Sequence, residues 1–401
     1  MAVDFLSPEQ KTQYGQFSEE PNEVQLARYF HLDQTDLDFI MDRRGDHNRL
    51  GFALQITSCR FLGTFISDLS LVPAVVINFI AQQLFISDLS VLNNYARREV
   101  TKHEHMEIIQ GHYGYHDFHE APWKFRLTRL LYARSWVGNE RPSLMFDFAT
   151  SWLIQNKVLL PGATTLSRLI SEIRERANNL LWRRLASLPT EAQKKNLETL
   201  LEIAGGVRNS RFDRYRKGPV SVSSLSFNES VERYKELKEF GLQGLNFSRI
   251  PSMRLKNLAR YASVISINKI GRMPEDKRIA MLVAFIKVFE VAAIDDALDV
   301  LDLLITGITG AAKKIGQKKR LRTLKDLDRS AITLADVVLN FILDEAKKEE
   351  GLRKIIFSKI PKEKLMASVT TIHSLARPEE DKFNDEIVEQ YGKVRRFMPQ
   401  L

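Results

Sequence analysis

LPGATTLSRLISEIRERANNLLWRRLAS, residues 160–187, joins a Pro-Gly turn to an apolar stripe at helical spacing. Leu166, Leu169, Ile170, Ile173 and Leu180 recur three and four residues apart, the period of one helix face. Thr164 or Thr165 stands where an N-cap belongs, since a hydroxyl there can accept from the unpaired first-turn amides. Arg168, Arg174, Arg176, Arg183 and Arg184 occupy the remaining faces, with Ser167 among them. Leu144–Gln155, just upstream, has the same period, so the order is helix, turn, helix, an arrangement that can lay its second helix in a major groove. Arginine suits that role because its planar fork binds phosphate and guanine bidentately. The plainer alternative is a solvated face on which Glu172 and Glu175 pair with the arginines.

The same periodicity extends in both directions, without the period-two runs that would build a large sheet, so the expected fold class is all-α. Upstream, one helix stops at Gly45, a second opens at Asp46 and carries Leu50, Leu54 and Phe61 inward, and a third begins at Pro73. A fourth element over 91–112 breaks near Thr101. Downstream, helices are expected near 228–240 and 252–268. After Met273-Pro274-Glu275-Asp276 a pattern through Ile279, Leu282, Ile286, Phe289, Ala293, Leu301, Leu304 and Ile308 predicts one unusually long helix, suited to a spine or a dimer surface.

The 401 residues, 44% apolar and 27% charged, have the balance of a folded chain of several domains rather than of a disordered one. A single cysteine, Cys59, excludes an internal disulfide, and no run approaches the roughly 18 apolar residues that span a bilayer. The first ten residues lack the cationic lead and apolar block of a signal peptide, so a cytoplasmic location with no membrane partner is expected. Net charge is +9 and unevenly spread: residues 1–120 hold 9 Lys/Arg against 17 Asp/Glu, residues 121–220 hold 18 against 8, and residues 221–330 hold 20 against 13. A basic middle of this kind is what a polyanion-binding surface needs.

Three further basic clusters stand out. Arg208, Arg211, Arg214, Arg216 and Lys217 face one acid, Asp213, in a Gly/Ser/Pro-bearing stretch that reads as a linker able to follow a phosphate backbone. Arg97, Arg98, Lys102, His103 and His105 surround Thr101, a candidate cap for a short recognition helix. Lys313, Lys314, Lys318, Lys319, Arg320, Arg322 and Lys325 form a third run, of a kind more often solvated than bound. The histidines near 103–119 lack the spacing and cysteine partners of a zinc site. Asp295, Asp299 and Asp302 share one helix face, where an acidic stripe is commoner than a catalytic metal cluster. No phosphate-binding Gly-rich loop or nucleophile triad is present.

Several stretches resemble the N-terminal half of the replicative transposases of the Tn-three family. They are Arg43-Arg44-Gly45-Asp46-His47-Asn48-Arg49-Leu50-Gly51-Phe52-Ala53-Leu54-Gln55, Tyr95 to Thr101 with His105, Ala149 to Leu153 with Lys157 to Leu166, Leu258 to Ala262 with Arg272 to Glu275 and Asp295 to Asp299, and the ending Tyr391 to Phe397. The resemblance implies helix-turn-helix-type modules that bind the terminal inverted repeats as double-stranded DNA, followed by a dimerisation and scaffold region. It also implies an RNase H-like core with an Asp/Asp/Glu triad and Mg²⁺ beyond residue 401, so no catalytic residue, metal ligand or cofactor is assigned within this chain. The domains expected are a DNA-binding domain over 1–120, a second over 121–204, a basic linker over 205–227, a long-helix dimerisation region over 228–330 and a helical scaffold over 331–401. Arg43, Arg44, His47 and Arg49 join the expected DNA contacts with the clusters above, and a homodimer is the expected assembly. The competing expectation is a helical protein-protein scaffold without DNA specificity.

Overall fold

A computed structural model describes residues 5–96, 99–202, 210–343, 350–375 and 384–390, with positions 392 and 395. These residues are mainly helical and form no sheet; an isolated parallel bridge joins His116 to Val158. The chain divides into two compact units, one made of Met1–Glu198 with Gly244–Phe285 and the other of Thr199–Gln243 with Ile286–Leu401. No helix among the described residues is long and apolar enough to cross a membrane.

The first unit contains two cores. Its opening helices are α1 (Pro8–Gln13), α2 (Glu23–Gln25), α3 (Gln34–Met41), α4 (Asp46–Leu62), α5 (Ala74–Gln83), α6 (Leu92–Ala96) and α7 (Glu99–Tyr113). Helix α4 is their axis, because every residue from Leu50 to Cys59 is buried. Its Gly51 lies against the ring of the buried Tyr95, and a Cβ there would overlap the ring atoms. Large side chains such as Phe30, Ile40, Phe52 and Ile80 are fully enclosed around this axis, each worth about 1.5–3 kcal/mol of burial.

Two polar groups inside this core have assigned partners. Asp36 accepts from Arg60 and, at 2.6 Å, from the Tyr113 hydroxyl, tying α3, α4 and α7 together. Burial pushes the Asp36 carboxyl up, but the Arg60 and Tyr113 hydrogen bonds outweigh it and hold the group below the usual carboxylate range. His105 is 5% exposed, with Nδ1 3.2 Å from the Tyr95 hydroxyl. Burial, with Arg43 nearby, lowers its pKa to about 4, so the ring is neutral in the fold.

The second core of this unit is built by α8 (Trp123–Val137), α9 (Pro142–Gln155) and α10 (Ala163–Ala186), with α11 (Glu191–Glu198) following. Leu127 and Leu131 of α8 meet Met145, Ala149 and Leu153 of α9 and Leu166, Ile170 and Ile173 of α10. Helix α8, whose stripe is interleaved with cations, was not anticipated from the sequence. Next in the chain come α12 (Arg211–Tyr215) and α13 (Ser224–Lys238) of the second unit, then α14 (Ser252–Val264) and α15 (Ile267–Gly271), which return to the first. Arg254 of α14 donates to the Gly138 carbonyl at 3.4 Å, to Asn139 at 3.2 Å and to Asn178, placing a cation against the electronegative C-terminus of α8.

In the second unit the expected long helix is α16 (Glu275–Val337), 63 residues, whose first turns belong to the first unit. Phe227 and Val231 of α13 pack on Ala297, Val300, Leu301 and Leu304 of α16. Arg233 of α13, 9% exposed, pairs with Asp296 and donates to the Lys217 carbonyl. The described part of the expected linker differs from a tether. Ser210 caps α12, and Phe212 and Tyr215 are both fully buried, so apolar burial fixes this stretch as a helical turn. Helices α17 (Leu352–Lys359), α18 (Lys362–Leu375) and α19 (Asn384–Glu389) complete the described chain.

The buried His105 makes stability pH-dependent. An unfolded chain takes up a proton at the ordinary histidine pKa near 6.5, while the folded ring does so only at about 4. This contribution is therefore complete above about pH 6.5 and is lost as pH falls toward 4, amounting to about 2 kcal/mol by pH 5. Urea denaturation of the wild type and of His105→Gln at pH 7.5 and pH 5 checks this, with the variant losing less stability than the wild type between the two.

Candidate nucleic-acid interface

The connection between α9 and α10, residues 156–162, is longer than the roughly 3–4-residue turn of a compact helix-turn-helix. Backbone bonds to distant segments hold it. The His116 N–H donates to the Lys157 carbonyl and the Leu159 N–H to the His116 carbonyl, both at 2.9 Å, while the Leu160 N–H donates to the Gly63 carbonyl at 3.0 Å. Gly63 ends α4 at φ 75°, and a Cβ there would sit 2.7 Å from Ile154 of α9, so glycine permits both the turn and the contact. The start of α10 is thus seated on the end of α4.

Helix α10 begins differently from the expectation. Gly162 is its N-cap and makes no side-chain cap bond, so Thr164 and Thr165 lie in the first turn, exposed, rather than capping it. Arg168, one turn on, is also exposed. Ser167 is buried and donates to the Thr164 carbonyl at 3.1 Å, which turns it away from any groove. Arg174 is drawn inward to the Glu140 carbonyl and the Met145 sulfur. The outward surface of the first two turns is therefore Thr164, Thr165 and Arg168, followed by the exposed Glu172.

The other expected contacts divide by their partners. Arg43 lays its guanidinium over Phe39 and Phe52, and Arg49 donates to the Arg43 carbonyl at 3.0 Å and lies 3.7 Å from Asp46. These two shape the start of α4. Arg44 is exposed, and the His47 ring closes over Gly45. That cluster stands at the opposite end of the 17-residue α4 from Gly63, about 25 Å along the axis, so it is not brought together with the α10 start. Lys102 of α7 donates to the Ser67 carbonyl, and Ser67 lines a cleft of about 290 Å³ whose wall includes Pro161 and Gly162. Thr101 and His103 flank Lys102, His103 being exposed, and Arg97 and Arg98 lie outside the described residues.

The basic cluster on α12 is largely occupied. Arg211 donates to the Tyr215 hydroxyl at 3.1 Å, Arg214 pairs with Glu236, and Arg216 pairs with Asp213 at 2.9 Å and lies over the Phe212 ring. Lys217 is exposed, and Arg208 lies outside the described residues. On α16, Asp296 is the partner of Arg233, while Asp295, Asp299 and Asp302 are exposed. Among the described residues no three His, Cys, Asp or Glu side chains are placed to hold a metal ion.

Cations that the sequence reading passed over lie on α8. Lys124, Arg126 and Arg129 are exposed, and the helix carries no acid. The signal was present in the charge count: residues 121–171 hold seven Lys/Arg against Glu140 and Asp147.

Residues 5–173 match a family described as Domain of unknown function (DUF4158). The chain is 55% identical over 399 residues to the transposase for transposon gamma-delta of Escherichia coli (strain K12), covering 100% of this chain and 40% of that protein. It is 25% identical over 402 residues to the transposase for transposon Tn1546 of Enterococcus faecium, covering 99% of this chain and 40% of that one. To the transposase for transposon Tn501 of Pseudomonas aeruginosa it is 26% identical over 381 residues, covering 94% and 38%. The chain thus spans about two-fifths of the length of these relatives. The similarity runs along the whole chain and is to the N-terminal two-fifths of transposases of the Tn-three family.

Proposed function

We propose that these residues bind the terminal inverted repeats of a transposon as double-stranded DNA, with α10 as a major-groove helix of a helix-turn-helix-type module. The observation that carries the reading is the exposed first face of α10, Thr164, Thr165 and Arg168, at a helix start fixed by the bonds of residues 157–160 to His116 and Gly63. A groove helix reads base edges from its N-terminal turns, and a rigid seat is what keeps such a reading in register. Similarity to transposases along the whole chain favours DNA as the ligand over a protein partner of a scaffold.

Arg168→Ala tests this by fluorescence anisotropy on an end duplex and a shuffled duplex. The expected loss is about 1–3 kcal/mol on the end duplex and much less on the shuffled one. Equal and negligible losses on both would favour the scaffold reading.

The same proposal places strand cleavage outside these residues, on a separate metal-binding fold where Mg²⁺ would act. Two-metal phosphoryl chemistry needs carboxylates converging within a few ångströms, whereas Asp295, Asp299 and Asp302 lie exposed along one helix. Incubated with Mg²⁺ and end DNA, the chain is expected to bind without nicking; nicking abolished by Asp295→Ala/Asp299→Ala would reassign those acids as catalytic.

A homodimer through α16 completes the proposal. Val291, Leu298 and Ile305 recur every seven residues on the second-unit part of α16, with Ile294 between the first two, and all four are exposed. A seven-residue apolar repeat suits a partner helix of the same kind. Analytical ultracentrifugation should give a concentration-dependent dimer that Leu298→Glu converts to monomer.

A further inference from the structure

Helix α9 should lie nearest the DNA backbone if α10 enters a groove, because the first helix of a helix-turn-helix crosses the phosphates. Yet α9, Pro142–Gln155, contains no lysine or arginine, and its one charge is Asp147. The lysine of the turn, Lys157, is directed to the Tyr113 carbonyl at 3.2 Å. Phosphate contacts supply most of the affinity of such a module, so the charge must come from another element.

Helix α8 has that charge at the same end of the bundle. Its first residue, Trp123, is 6.3 Å from Trp152 in the last turns of α9 and 4.7 Å from His116, whose backbone pairs with residues 157–159 just before α10 begins. At the other end, Arg184 of α10 lies over Trp136, and Asn178 shares Arg254 with Gly138 and Asn139. So α8 and α10 run side by side in the same direction, and their starts are neighbours. Arg126 and Arg129 are exposed three residues apart on one face, with Phe125, 70% exposed, one turn before Arg129. Arg126 rests over the Trp123 ring at 5.2 Å, and neither arginine is matched by an acid on its own helix. Like charges at this spacing disfavour an isolated helix by about 0.2–0.5 kcal/mol, a cost that an anion lying across both removes.

We propose that Arg126 and Arg129, with Lys124 at the helix start, form a phosphate-contacting face on α8 that grips the DNA backbone beside the groove occupied by α10. The proposal rests on the reading of α10 as a groove helix, and it adds the element that supplies affinity without sequence preference. Substituting both arginines leaves the bundle core intact, since Leu127 and Leu131 make its contacts.

The test measures salt dependence of binding by the full chain, wild type and Arg126→Ala/Arg129→Ala, on the end duplex and the shuffled duplex. Losing two phosphate contacts should flatten the slope of log K against log salt by about 1.8 and weaken both duplexes by a similar factor. Arg126→Lys/Arg129→Lys should restore the slope. An unchanged slope in the alanine variant, with Arg168→Ala still selective for the end duplex, would overturn the α8 face and leave the α10 reading standing. Failure of the wild type to bind either duplex would overturn both.

Discussion

Three backbone hydrogen bonds, from His116 and to His116 and Gly63, decide where the strongest candidate DNA-reading helix begins. They satisfy amides and carbonyls of residues 157–160 that an irregular turn would otherwise leave to water, and in doing so join the α9–α10 turn to the end of α4. The rest of the first unit depends on this junction. Gly63 must adopt a left-handed conformation and lack a side chain, Ile154 must fill the space beside it, and Trp123 must pack on His116 to bring α8 to the same place. The two cores of the unit are therefore held in one relation by main-chain geometry, which side-chain motion does not relax.

Burial together with partners, more than counts, separates structural cations from available ones. Arg43, Arg49, Arg174, Arg216, Arg233 and Arg254, none of them exposed, engage rings, carbonyls, amides or carboxylates of the fold. Arg44, Arg126, Arg129 and Arg168 are exposed. Arginine serves both roles because its stem packs apolarly while its fork bonds several acceptors at once. A chain of net charge +9 can thus present a few focused cationic faces rather than a uniformly basic surface.

The helical class, the long α16 and the turn before α10 were legible in the sequence because each is written in local chemistry: periodic apolar residues, Pro or acids at helix starts, Gly at their ends. Helix α8 was missed because its two buried leucines, Leu127 and Leu131, stand among Lys124, Phe125, Arg126, Arg129 and Tyr132, which blur the stripe. The 205–227 stretch read as a linker because its Gly, Ser and Pro content outweighed the pair Phe212 and Tyr215, whose three-residue spacing after Ser210 was the sign of a capped, buried turn. Among site residues, Thr164, Thr165 and Arg168 are exposed as a groove contact requires, while Ser167 and Arg174 are not. Ser167 turns back to the Thr164 carbonyl three residues earlier on its own helix, whereas Arg174 is drawn to Glu140 and Met145 across the bundle, which no spacing rule on a single helix can anticipate.

A start of α10 that occupies a major groove covers guanine N7, which lies only on that side of the duplex. Dimethyl sulfate footprinting of the end duplex with the full chain reports on it directly. The wild type should protect a short cluster of guanines at N7, with protection lost from part of that cluster in Arg168→Ala. Binding at saturation with every guanine N7 still reactive would contradict it.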